Sequence, residues 1–127
     1  MIVGGLYVAA FGGGLLKFGR CGAFDRRMMQ LAGLTGASPT SAVWVGVIAG
    51  CASEAERSLL NEASNRFAKA HAREWFVGDF SAALPVLCDV SSRAGIKNHR
   101  FLTSVRHCGD MSESLMRQVR DQVVVAL

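Results

Sequence analysis

Apolar residues run through this chain in blocks, and the polar residues between them carry the chemistry of helix ends. The first block, Met1 to Leu16, holds no charge, and Lys17, Arg20, Arg26 and Arg27 follow it. Gly5, Ala9 and Gly13 recur every four residues within it, which places them on one helix face where a second backbone can approach closely. Ala10 and Gly14 form a shorter second row. Three readings stand side by side: a helix buried in the core, a membrane or membrane-surface anchor, and a glycine-rich strand or loop. A spanning helix needs about 20 apolar residues, so the block is slightly short. Its basic flank would lie on the cytoplasmic side. The basic residues come after the apolar stretch, which argues against a cleaved signal peptide.

Helix boundaries are well marked beyond residue 20. Asp25 can cap a helix through MMQLAGL that stops at Gly36, and Ser38-Pro39 supplies a capping hydroxyl followed by the residue suited to a first helical position. The helix it opens, PTSAVWVGVIAG, is apolar on nearly all sides and ends at Gly50. Ser53 and Glu56 form a capping box, after which Leu59, Leu60, Ala63, Phe67 and Ala70 share a face in a helix reaching about Trp75. Asp79 or Ser81 starts another helix that tolerates Pro85 early and ends near Gly95. A shorter one spans Asn98 to His107 and closes at Gly109. Asp110 with Glu113 offers a second capping box for a last helix, where Leu115, Val119 and Val123 share a face flanked by Met116 and Leu127. VVVAL alone has strand composition. The pattern predicts an all-α fold: a compact bundle of six or seven short helices. Residues 1–19 form a glycine-rich N-terminal helix and residues 20–127 a helical domain.

The segments RCGAFDRRMMQLAG, GCASEAERSLLNEAS and HCGDMSESLMRQVRD echo one another. Each runs Cys, a small residue, a capping residue and a Leu/Met pair, as if one turn-plus-helix unit were used three times. Chance likeness among amphipathic helices is the rival reading.

Size and composition suit one folded domain. The chain has 127 residues, 50% hydrophobic and 19% charged, which excludes a disordered tail. Arg outnumbers Lys by 11 to 3 and the net charge is +4. That excess is compatible with anionic partners but weaker than the dense stripe of a committed nucleic-acid binder. Cys21, Cys51, Cys88 and Cys108 have no close pair, so neither a zinc ribbon nor a redox dithiol is written in their spacing. They read as reduced, half-buried thiols in a cytoplasmic setting, with two disulfides the alternative in an exported chain.

The segment IAGCASEAERSLLNEASNRF resembles the turn-and-helix signature of TerB-type tellurite-resistance domains, in which an apolar helix ends in a small acidic turn and a Ser-x-x-Glu cap opens the next helix. LAGLTGASPTSAV is similar to the helix–GAS–helix join in the domain that follows the membrane anchor of a J-domain cochaperone. The resemblance spans roughly residues 20–127 and implies an all-α domain in a stress- or membrane-associated bacterial assembly. The family's acidic cation-binding turn is Cys51-Ala52 here, and the last turn keeps only Asp110 after Gly109, so metal binding does not carry over.

No catalytic constellation emerges. His107 and Cys108 are neighbours and point about 100° apart on a helix. His71 with Glu74 is half of a di-iron motif whose other half is missing. Cys88, His99, His107 and Cys108 match no common zinc spacing. No catalytic residue, cofactor or metal ligand is assigned. Binding is left, with two candidate surfaces. One is the small-residue face of Gly5, Ala9 and Gly13. The other is the acid-free stretch Val90 to Gly109, where Arg93, Lys97, Arg100 and Arg106 form a cationic face if the segment is helical. The expected function is a protein-interaction or scaffold module, whose partner is another protein or a second copy. Its location is cytoplasmic, with membrane association if residues 1–16 are an anchor. The alternative is a small basic nucleic-acid-binding or phage-type regulatory protein using residues 90–109. In either case the cationic face suits phosphate of nucleic acid, anionic lipid or an acidic protein patch.

Overall fold

The uncharged opening block leads into a β-hairpin. In the computed structural model, which describes residues 2–48, 52–70, 74–97, 102–109 and 111–124, β1 (Ile2–Phe11) pairs antiparallel with β2 (Leu15–Cys21). Gly12–Gly14 make the turn between them, with Gly13 and Gly14 at φ 78° and 77°. That left-handed backbone is open to glycine at little steric cost, which is why a run of glycines sits where the chain reverses.

The elements then follow as α1 (Phe24–Thr35), β3 (Ser41–Ile48), α2 (Ala52–Arg66), β4 (Ala68–Lys69), β5 (Trp75–Val77), α3 (Phe80–Lys97), β6 (Leu102–Gly109) and α4 (Glu113–Val124). Among the described residues there is one six-stranded sheet in the order β4-β5-β2-β1-β3-β6, antiparallel at every pairing. The chain is therefore a mixed α/β fold and not the all-α bundle that its caps predict.

Both faces of the sheet are covered, and this explains the misreading. Leu6, Val8 and Ala10 of β1, with Val43 and Val45 of β3, face an aliphatic core built with Leu59, Ala63, Leu87, Val90 and Val119 of α2, α3 and α4. The alternate residues Tyr7, Ala9, Phe11, Ala42 and Trp44 face the opposite way, against Phe24, Met28 and Leu31 of α1. A strand apolar on both sides shows no alternation and is indistinguishable from a buried helix by period. Residues 41–48 suffered the same fate: Ser38-Pro39 precedes a strand, and the Thr40 amide donates to the Ala10 carbonyl at 2.8 Å.

Other predicted boundaries fare unevenly. α1 runs through MMQLAGL and ends at Gly36 (φ 81°), whose amide donates to the Ala32 carbonyl at 2.9 Å, although Asp25 lies inside the first turn instead of capping it. α2 stops at Arg66, short of Trp75, because two short strands follow. α3 begins after Asp79, carries Pro85 in its second turn and reaches Lys97, two residues past Gly95. The proposed helix over Asn98 to His107 is overturned by β6, with residues 98–101 outside the described ones. The last helix is present, with Ser112 Oγ accepting from the Leu115 amide; Asp110 lies outside the described residues.

The sequence echo falls on strand-to-helix junctions. Cys21 closes β2 ahead of α1 and Cys108 stands near the end of β6 ahead of α4; Cys51, between β3 and α2, lies outside the described residues. The units are strand–turn–helix, and α1 is sent to the opposite face from α2 and α4. No described helix is long and apolar enough to cross a membrane, and residues 2–16, read above as a candidate anchor, are mostly the central strand of the sheet. The TerB-type resemblance is overturned with the fold, since its signature segment starts in β3.

Candidate functional site

Gly5, Ala9 and Gly13 do not share a helix face. Gly5 and Ala9 lie on the α1 side of β1, and Gly13 is in the turn. Gly5 nevertheless serves a close approach: a Cβ there would stand 2.6 Å from the indole of Trp44 and 2.4 Å from the Val45 carbonyl. The Trp44 ring thus lies across the strand over the missing side chain. Its Nε1 donates to the Cys21 carbonyl at 3.0 Å, and the ring is only 4% exposed. Tyr7 does the same over Gly19. The Tyr7 hydroxyl makes no well-formed hydrogen bond among the described residues, and burial pushes its pKa above the usual tyrosine range against the pull of the Arg27 guanidinium.

Arg106 also packs on Trp44, its guanidinium carbon 5.8 Å from the ring centroid. The two residues are direct cross-strand neighbours, one on β3 and one on β6. Cation–ring contacts of this kind contribute about 0.5–1 kcal/mol at exposed sites and fix where the cation sits. Arg106 and His107 are exposed, Val105 turns into the aliphatic core and Cys108 toward the α1 layer. Burial, then the charge of Asp25, raises the pKa of the Cys108 thiol.

β6 is an edge strand eight residues long, paired on one side with β3 over Gly109 to Leu102. Among the described residues no strand pairs with its outer side. In an antiparallel pair every second residue turns its N–H and C=O away from the neighbour, so that side carries a row of open backbone groups. At the far edge β4 has two residues, one of them Lys69, which is the usual way of blunting an edge.

A cleft of about 510 Å³ adjoins β6 on the α1 side. Its wall is the start of α1 from Gly22 to Arg26, with Trp44 and Arg106 opposite. Arg26 and Arg106 supply two positive charges against the one negative charge of Asp25. A second cleft of about 530 Å³ lies on the other face, between α2 and β2. There Arg20 donates to Glu56 at 3.1 Å and to Ser53 Oγ at 3.0 Å, so the residues read as a capping box hold an arginine across to β2.

The predicted cationic face is not assembled as one surface. Arg93 stands on α3, within 3.2 Å of Asp89 and 3.8 Å of Glu62. Lys97 is the last residue of α3, Arg100 lies outside the described residues, and Arg106 is on β6 and turned to the α1 side. The sequence reading also missed Lys17, a buried ammonium in β2. It pairs with Glu74, donates to the Phe18 carbonyl at 3.2 Å and lies 5.7 Å from the Trp75 ring. A single charge closing a sixteen-residue apolar run was its only signal. His71 and Cys51 lie outside the described residues. Cys21, Cys88 and Cys108 are free thiols, and among the described residues no three His, Cys, Asp or Glu side chains are grouped to hold a metal ion.

Comparison with family models, curated proteins and solved structures gives no match for this chain, TerB-type domains included.

Proposed function

We propose that the chain is a protein-interaction module that receives an extended segment of its partner as an added strand along β6. The observation that carries this reading is the contrast between an open edge of eight residues and a far edge of two. A long open edge is the template used in strand addition: backbone hydrogen bonds hold the incoming segment and its alternate side chains give specificity.

Magnitudes show what such a site needs. About four of the eight residues turn both backbone groups outward, room for about eight hydrogen bonds. At about 0.5–1.5 kcal/mol net each, their sum does not exceed the cost of ordering the segment, about 1–2 kcal/mol per residue. Backbone pairing alone therefore nets little, and side-chain contacts beside the strand decide affinity. The cleft at Arg106 and Trp44 stands where those contacts would form.

Selection from a phage-displayed library of ten-residue peptides tests this directly, with His107→Pro and Cys108→Pro as paired variants. Adjacent residues of β6 face their amides in opposite directions, so one proline breaks a bond to β3 and the other removes an outward donor. The variant that keeps parental circular dichroism is expected to lose the selected peptides. If it binds them as the parent does, or if the selected peptides protect another surface from hydrogen exchange, the proposal falls. Sedimentation showing β6 already occupied by a second copy would replace the partner with self-association.

A further inference from the structure

Resting on strand addition at β6, we infer that the partner segment is acidic, with carboxylates at the alternate positions that fall on the α1 side. An added strand continues the pleat, so its residue opposite Arg106 projects on the same face as Arg106. That face opens on the cleft that Arg106 shares with Arg26. Arg106 is held there by the Trp44 ring beneath it, and Trp44 is fixed in turn by Gly5 and by its bond to the Cys21 carbonyl. The cation is thus positioned before any partner arrives. On the opposite side of β6 stands His107, also exposed. Asp25 offsets one of the two guanidinium charges of the cleft and leaves it positive.

The same charges disfavour a second copy as the occupant. Pairing β6 with itself brings another Arg106 into the interface, between chains each carrying +4, and like charges across a strand pair oppose association. A segment with Glu or Asp at alternate positions removes that conflict. Arginine can then meet a carboxylate through two parallel hydrogen bonds, a fit lysine does not share.

The test uses the whole chain and three blocked ten-residue peptides, alternating Thr with Glu, with Gln or with Lys, followed by fluorescence anisotropy. The Glu peptide is expected to bind about tenfold tighter than the Gln peptide at low salt, an advantage that shrinks near 0.5 M salt as screening shortens. Arg106→Gln is expected to cut that advantage to about threefold or less, and Arg106→Lys to keep part of it. Equal binding of the Glu and Gln peptides, with β6 amides still protected, would overturn the acidic partner and leave strand addition standing. Tightest binding of the Lys peptide would overturn it too. If none of the three protects β6 from exchange, both readings fall together.

Discussion

The two edges of the sheet are built to opposite specifications. At one end β4 contributes two residues, one of them a lysine, paired with β5, where Trp75 is half-buried between Phe11 and the Lys17 ammonium. At the other end β6 offers eight residues with Trp44 buried beneath and Arg106 standing over it. Each edge thus has a tryptophan and a cation, but only one presents a long row of open backbone groups. Edges left long are exposed to unwanted pairing, and the proposed strand addition would cover this one.

Replacing the two tryptophans separates the edges most strongly. Trp44→Ala removes a buried ring and its hydrogen bond, and is expected to cost about 3–5 kcal/mol by urea denaturation. Trp75→Ala, from a half-buried site, is expected to cost about 1–2 kcal/mol. Equal losses would mean that β6 is no better supported than β4.

The thiols give a pH-dependent version of the same contrast. Burial pushes Cys21 and Cys88 from 9.0 up to about 11. The folded chain then holds these protons more tightly than the unfolded chain. The stability they contribute is full below pH 9 and is lost as pH rises through about 11, on the order of 2–3 kcal/mol for each thiol. Cys21→Ser with Cys88→Ser should flatten that part of the denaturation profile. The half-buried Cys108 of β6 should be alkylated fastest of the three, and an added strand should slow it.

Gly5→Ala introduces a methyl against the Trp44 ring and the Val45 carbonyl, an overpacking expected to cost about 1–3 kcal/mol. It should also shift Arg106 and weaken peptide binding, whereas Gly33→Ala, where nothing beyond its own stretch of α1 stands within 4 Å of the added carbon, should not. Smallest is Lys69→Val at the far edge. Its expected effect on stability lies within about 0.5 kcal/mol, and any consequence should appear as concentration-dependent association in sedimentation velocity. Strong association there would show that length alone does not protect β4.

Local chemistry was legible where it acts locally. Gly36 ends α1, α2 and α4 begin close to their marked starts, and α3 spans the predicted region, because caps and amphipathic faces are set within a few residues. Strands β1 and β3 were not legible, since helices on both faces bury Leu6 and Tyr7, or Val43 and Trp44, alike. The spacing of Gly5 and Ala9 did mark a close approach, but of an aromatic ring to a strand and not of two helices. Arg106 was singled out for its acid-free surroundings, while its separation from Arg93 depends on a sheet that no local signal announces. Ser53 and Glu56 had the form of a cap and instead hold Arg20.

The most direct test of strand addition is residue-resolved hydrogen exchange along Leu102 to Gly109, measured by NMR with and without the Thr–Glu peptide. The free chain should show alternation, with amides bonded to β3 slow and the intervening ones fast, and the bound chain should be slow throughout. Uniform slowness before peptide is added, or alternation that survives saturation, would contradict the open edge on which the proposed function depends.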